Sequence, residues 1–383
     1  MTSAACTRDG REIKVGEAMS DKTGIEWADA TWNPVTGCTK LSPASPGCQN
    51  CYAATFAERW RGTPRHYFEH GFDVVLRPDK LELPMRWRRP RRIFVNSMAD
   101  LFHDQVPDDY IAHVFAVMQS CAAHTFQVLT KRHGRMRNLL TDGGFWEAVT
   151  DLGQHVTAQR PSRAQYWPDH GRKHGFLPNV WLGVSVEDQH WANIRIPVLL
   201  DIPAAVHWIS AEPLLSALLL CRCDGAQFEV KRYPFLVDSG CPLHGAKRLD
   251  WVVVGGESGP DSRPMHPDWA RSLRDQCVAT DTLFLFKQWG EYRPVPVVDD
   301  DGFALGRAFD HPIVGRASAA IRVHAPGKST MRGAHMRLLE PGDRTRSTVM
   351  LDRDTIAVRL GKKRAGRELD GRTWDEYPPW VGS

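Results

Sequence analysis

The chain has 383 residues, 42% apolar and 25% charged, an ordinary balance for a soluble globular protein with ample length to bury a core. Its net charge of +4 is small for this size and permits an anionic partner without demanding one. No apolar run approaches the roughly eighteen residues that span a bilayer, and the N-terminus "MTSAACTRDGREIKVGEAM" has no apolar core. A membrane span and a secretory signal are therefore excluded from the expectation.

Residues 1–18 are expected to form a floppy extension, and Met19 could begin the chain. From Gly24 a pattern recurs: a short β-branched or aromatic run ends in polar or Gly residues, and a helix-like segment follows. "GIEWADATW" (Gly24–Trp32) leads into a loop, "TWNPVTGCTKLSPASPGCQNCYA", that holds Cys38, Cys48 and Cys51 as C-x9-C-x2-C. The later runs are Arg92–Asp100, Thr125–Arg132, Asn179–Asp188, Val206–Pro213, Asp250–Gly259 and Thr282–Gly290. Between them lie helix-compatible stretches such as "HPDWARSLRDQCVAT", where Pro267 and Asp268 suit a helix start. Continuous apolar strands alternating with helices predict a parallel sheet buried on both faces. The expected fold is a full or partial parallel (β/α) barrel of six to seven units over 19–293, with a doubly wound open sheet as the competitor.

Two segments interrupt this rhythm. The insertion at 218–248 contains Cys221, Cys223, Cys241 and His244, a spacing that could bind zinc or could be ordinary buried cysteines. Residues 294–353 read as a loop-rich insertion, and 354–383 as a C-terminal tail packing on the barrel. "RWRRPRR" (Arg86–Arg92) places five arginines around one Trp; it could meet nucleic-acid phosphates or be a solvated connection.

In either α/β fold the site lies at the carboxyl ends of the strands. The polar groups ending the runs include Ser97, Asp100, Lys131, Ser185, Glu187, Glu212, Gly255, Gly256 and Glu257. Some could merely cap the next helix, although Lys131, Glu187, Glu212 and Glu257 are poor caps. Nine cysteines, an odd count with no export signal, point to a reducing cytoplasm, where clustered thiols bind metal or react. An iron–sulfur cluster with one iron left open, a zinc ion completed by a distant His, and unligated thiols all remain compatible with C-x9-C-x2-C.

The blocks "GIEWADATWNPVTGC…SPGCQNCYA", "VNSMADLF", "LTKR", "WLGVSVED", "SAEPLL", "WVVVGGESGPDSRPMHPDW", "FKQWG" and "GRELDGRTWDEYP" fall in the order of a phage and prophage family. The chain resembles these three-Cys-motif proteins, which are regarded as radical S-adenosylmethionine-like. The resemblance implies that Cys38, Cys48 and Cys51 hold three irons of a 4Fe–4S cluster. The open iron would take the amino and carboxylate groups of S-adenosylmethionine, and an electron donor protein would reduce the cluster. Cleavage would give methionine and a 5′-deoxyadenosyl radical. The resemblance further implies that Ser97 and Asp100 accept from the methionine ammonium, that Lys131 or Arg132 meets a carboxylate or phosphate, and that Ser185 and Glu187 reach ribose hydroxyls. Gly255 and Gly256 could let backbone approach a ligand, or make a tight turn. Nucleic acid or a nucleotide is the expected target; the alternative is a non-enzymatic metal-binding protein that interacts with nucleic acid.

Overall fold

The computed structural model describes residues 23–41, 45–158, 167–220, 241–243, 247–296, 348–352 and 355–379. The main sheet holds seven parallel strands: β1 (Ala30–Trp32), β4 (Arg92–Val95), β5 (Thr125–Thr130), β6 (Val180–Ser185), β7 (Val206–Ala211), β8 (Trp251–Gly255) and β9 (Leu283–Gln288). They neighbour one another in chain order, from β1 to β9. This sequential order favours a curling sheet over the doubly wound alternative, in which the order reverses at a switch point. A short antiparallel pair, β2 (Val35–Thr36) with β3 (Val75–Leu76), lies between β1 and β4 in sequence.

Alternation along each strand sorts the two faces. Val128, Leu182, Ile209, Val252 and Phe284 point outward into the larger core, which they share with the helices. These helices include α3 (Asp108–Gln119), α4 (His133–Leu140), α5 (Gly143–Ala158), α7 (Gln189–Leu200) and α8 (Pro267–Ala279). Before α3 stand four short ones or turns: a 3₁₀ turn at Pro46–Cys48, α1 (Tyr52–Glu58), α2 (Pro78–Leu81) and a 3₁₀ turn at Leu83–Arg86; α6 (His170–His174) precedes β6. The start of α8 is capped by His266, which accepts from the Asp268 amide, with Pro267 in the first turn.

The inner face carries a tryptophan plug. Trp27, Trp181, Trp208 and Trp251 are buried there with Phe94 and Leu285. Trp27 meets Phe94 of β4 at 4.6 Å and Trp251 of β8 at 5.9 Å between ring centroids. Those strands are four positions apart, and neighbouring strands lie about 4.8 Å from one another in a sheet. One ring can touch both only because the sheet curls into a half-barrel.

The far edge of β9 is covered by the C-terminal tail. Phe286 N donates to Trp374 O at 3.0 Å and Glu376 N to Phe284 O at 3.3 Å, in an antiparallel bridge at Leu285 and Asp375. Tyr377 Oη then donates to Glu26 O at 3.4 Å, next to the entry into β1. The tail thus spans from the last strand of the sheet to the first.

A second, antiparallel sheet joins β10 (Tyr292–Pro296), β11 (Thr348–Met350) and β12 (Thr355–Arg359), with β12 central; a last short helix, α9, is Lys362–Ala365. The described ends of the expected 294–353 insertion are therefore strands, because their Thr, Val and Met residues pair with β12; the rest of it lies outside the described residues. So do Cys221, Cys223 and His244 of the expected zinc site, of which only Cys241 is described. Among the described residues no helix is long and apolar enough to cross a membrane.

Trp208 is fully buried in the plug. Its replacement by Ala should cost about 3–5 kcal/mol of stability, measured by urea denaturation. A loss below about 1 kcal/mol would show that the inner face is not a packed core.

Candidate metal centre and active site

Over the carboxyl ends of the strands opens a cavity of about 1180 Å³. Cys38, Cys48 and Cys51 line it, and so do Ser97, Asp100, Lys131, Ser185, Glu212, Gly256 and Glu257. The cysteine loop forms its roof on one side. Cys38 follows β2, Cys48 ends a 3₁₀ turn begun by Pro46, and Cys51 caps α1. All three thiols are half-buried and none is in a disulfide. Among the described residues no three His, Cys, Asp or Glu side chains close on a single ion.

Two buried carboxylates fasten this loop to the sheet. Glu257, just past β8, takes the Arg263 guanidinium at 2.8 and 2.6 Å and the Arg263 amide at 2.7 Å. The same guanidinium donates to Pro46 O at 2.8 Å and Gln49 Oε1 at 3.1 Å in the loop. Asn50 Nδ2 donates to Glu257 at 3.3 Å and to Asp261 O at 2.7 Å. Past β6, Glu187 pairs with Arg195 at 3.0 Å and Lys131 at 3.0 Å. Arg195 also donates to Ser185 O at 2.7 Å and reaches Ser45 Oγ at 3.5 Å. Gly47 sits directly on Glu187: a Cβ there would lie 2.3 Å from Oε1, so only glycine lets the loop descend this far.

Glu187 and Arg195 are both fully buried. Burial works against the Glu187 carboxylate, yet Lys131 and Arg195 hold its pKa below the ordinary value. Burial likewise lowers the Arg195 pKa, against the pull of Glu187. Glu187, expected at a ribose, is thus committed to the protein beneath the loop, and Lys131 is shared between it and the cavity.

Asp100, expected at the methionine ammonium, accepts from Thr130 Oγ1 at 2.7 Å, Phe102 N at 3.0 Å and Lys131 N at 3.0 Å. It joins the ends of β4 and β5 while lining the cavity. Ser97 donates to Asn33 Oδ1 at 3.2 Å, and its carbonyl accepts from Tyr52 Oη at 2.6 Å. Arg132 turns to the Cys38 side, pairing with Asp104 at 3.0 Å and donating to Thr39 Oγ1 at 3.1 Å. Burial, with the nearby Asp100 carboxylate, pushes the Cys38 thiol up to about 12, although Arg132 opposes this.

On the opposite wall Glu212 accepts from Lys287 Nζ at 2.8 and 2.9 Å. Gly255 lies against the Glu212 side chain. A Cβ on Gly256 would stand 2.0 Å from Trp289 O, so the glycine serves close backbone packing between the β8 and β9 ends. Neither glycine's closest approach is to a ligand surface. The arginine run Arg86–Arg92 leads into β4, whose first residue is Arg92, and so sits at the opposite end of the sheet from the cavity; there Arg92 pairs with Asp29 and lies 4.4 Å over the Tyr377 ring.

Sequence reading missed Asn50, Arg195 and Arg263. Arg195 is hidden inside α7, and its partner lies eight residues earlier across a strand end. Arg263 stood inside the block "GGESGPDSRP" but carried no pattern that tied it to a loop more than 200 residues away.

Replacing Arg195 by Met leaves Glu187 buried with Lys131 alone and should cost about 3 kcal/mol at pH 7. Because the folded pKa of Glu187 is depressed, the stability it lends is fully present above the ordinary glutamate range and is lost as pH falls through the folded value. Urea denaturation of both proteins should therefore show their difference shrinking between pH 7 and pH 3. An unchanged difference would contradict the pairing.

A family model described as a protein of unknown function, DUF5131, matches residues 22–378. No curated protein and no solved structure matches the chain. The match runs from ahead of the cysteine loop, through every strand of the main sheet, to the tail that covers β9, and the chain belongs to the DUF5131 family.

Proposed function

We propose that the protein is a radical S-adenosylmethionine-type enzyme built on an incomplete (β/α) barrel, with nucleic acid or a nucleotide as its target. The observation that carries this reading is the convergence of three half-buried thiols and a ring of strand-end polar groups on one cavity of about 1180 Å³. A 4Fe–4S cluster held by Cys38, Cys48 and Cys51 fits this donor set. Its protein ligands sit at separate corners and need not close on one ion, and one iron can stay free for a non-protein ligand. When bound, such a cluster supplies one electron to the sulfonium of S-adenosylmethionine, yielding methionine and a 5′-deoxyadenosyl radical.

The chain's own residues supply position and shelter. Arg263 and Arg195 fix the loop that presents Cys48 and Cys51. Arg132, through Thr39, steadies the Cys38 side. Ser97 and Ser185 offer hydroxyls at the rim, and Lys131 offers a cation suited to a carboxylate. Glu212 and Lys287 face the loop from the far wall and present an acceptor beside a donor to a polar substrate. The tryptophan plug fills the inner face of the half-barrel, and its Trp27 and Phe94 give the cavity an apolar wall. A cavity of this size favours an enzyme over a non-enzymatic metal-binding protein, whose site would be closed around its metal.

Anaerobically reconstituted protein, reduced with dithionite and given S-adenosylmethionine, should release 5′-deoxyadenosine, read by liquid chromatography. Cys38→Ala, Cys48→Ala and Cys51→Ala should each abolish release and lose iron while keeping the fold. Cys277→Ala, in the outer core, should retain both. Full activity in any of the three loop variants would refute the assignment.

A further inference from the structure

Three glutamates end strands at the open end of the sheet, and two of them are spent. Glu187 and Glu257 each hold an arginine that reaches the cysteine loop. Glu212, just past β7, is placed differently. Among the described residues its side chain takes donors from Lys287 Nζ, at 2.8 and 2.9 Å, and from Gln288 Nε2, at 3.4 Å, both on β9. It therefore spans from β7 to β9 across Gly255, and all three side chains line the cavity. Side-chain exposures of 20% for Glu212 and 13% for Lys287 leave the pair open to it.

Lys287 and Gln288 are neighbours in sequence, and strict alternation would send them to opposite faces of the sheet. The pairing of β8 with β9 slips there: Val254 stands opposite Phe286, but Gly255 stands opposite Gln288. Lys287 is the extra residue of a bulge, a device that re-aims side chains beside active sites and is rare between parallel strands. Gln288 is 4% exposed, and its Oε1 has no hydrogen-bond partner among the described residues. Its Nε2 is committed to Glu212 and to Ser258 Oγ at 3.2 Å, which fixes the way the amide points. A buried amide oxygen left unpaired is costly, and here it calls for a donor from outside the chain.

The three groups form a row, since Lys287 and Gln288 both donate to the carboxylate between them. An ammonium has three donors, and Lys287 keeps one free after its two contacts with Glu212. Glu212 Oε1 is taken by Lys287 and Gln288, whereas Oε2 takes Lys287 alone and keeps a lone pair. With Gln288 Oε1 the row reads donor, acceptor, acceptor. That is the pattern of a cytosine pairing edge, and its complement is O6, N1–H and N2–H of guanine. Read in either direction, adenine, cytosine and uracil each set an acceptor against an acceptor of the row or a donor against its donor. An arginine side chain would bring donors but no acceptor for Lys287.

We propose that Glu212, Lys287 and Gln288 form a guanine-specific pocket, in which Lys287 Nζ donates to O6 while Glu212 and Gln288 Oε1 accept from N1–H and N2–H. The pocket rests on the reading of nucleic acid or a nucleotide as the target, and it names the base. The apolar wall of the same cavity, with Trp27 and Phe94, suits the faces of a flat ring. The chemistry is the same for a free nucleotide and for a base turned out of a strand. Neither needs the cluster in order to bind, so the pocket and the cofactor reading can fail separately.

Isothermal titration calorimetry of the full chain with nucleoside monophosphates tests this, since these ligands differ in the base alone. Guanosine monophosphate should bind at least about tenfold more tightly than the adenosine, cytidine and uridine monophosphates. Inosine monophosphate, which lacks the N2 amino group, should bind about tenfold more weakly than guanosine monophosphate. Gln288→Met should bring guanosine monophosphate down to the inosine level and leave inosine monophosphate unchanged, whereas a merely structural role would weaken both alike. Glu212→Gln should weaken both, because N1–H is common to them. Melting temperatures near that of the parent would show that the variants fold. Competition by an oligothymidylate carrying one guanine separates the sources: displacement of guanosine monophosphate assigns the pocket to a base in a strand, and no displacement assigns it to a free nucleotide. No binding of guanosine monophosphate, or equal weakening of both ligands by Gln288→Met, would overturn the pocket. So would a preference for adenosine monophosphate, which would give the wall to the adenine of S-adenosylmethionine. Absence of 5′-deoxyadenosine formation with guanine binding intact would instead count against the cofactor reading alone.

Discussion

Everything at the open end of this protein depends on how a loop with little core of its own is pinned to a sheet. Two buried acid–base pairs do this. Glu257 aligns Arg263 so that its fork reaches Pro46 and Gln49, and Glu187 aligns Arg195 beneath Ser45 and Gly47. Buried ion pairs contribute little net stability compared with an apolar core, but breaking one is costly, and the directionality of a guanidinium fixes geometry. The positions of Cys48, Cys51 and the helix that begins at Tyr52 follow from those two contacts. So does the mouth of the cavity.

The fold decides which end carries chemistry. At the amino end the inner face is filled by the packed rings of Trp27, Trp181, Trp208 and Trp251. Toward the carboxyl end the inward residues change from Trp and Leu to Ser185, Ser210 and Lys287, and the cavity opens. The free edge of β9 is covered by the tail near Asp375, which spares the sheet an unpaired edge.

The strands were legible because parallel strands buried on both faces read as continuous apolar runs, as in "WVVVG" and "VWLGVS". Their polar ends were legible for the same reason: the run stops where the sheet ends. What could not be read was the direction in which those ends spend their hydrogen bonds. Glu187 and Glu257 look alike in sequence to groups that bind a ligand. Only the fold reveals that Arg195 and Arg263 consume them. Gly256 likewise fits a ligand approach or a backbone contact equally well until Trp289 is placed beside it.

The central claim is that the pinned loop presents three thiolates of one chain to a single 4Fe–4S cluster whose remaining iron is open to S-adenosylmethionine. Electron paramagnetic resonance of the anaerobically reconstituted, reduced protein tests it most directly. The account predicts the signal of a reduced 4Fe–4S cluster, with g-values that shift when S-adenosylmethionine is added. Zinc in place of iron, or a cluster signal indifferent to S-adenosylmethionine, would contradict it.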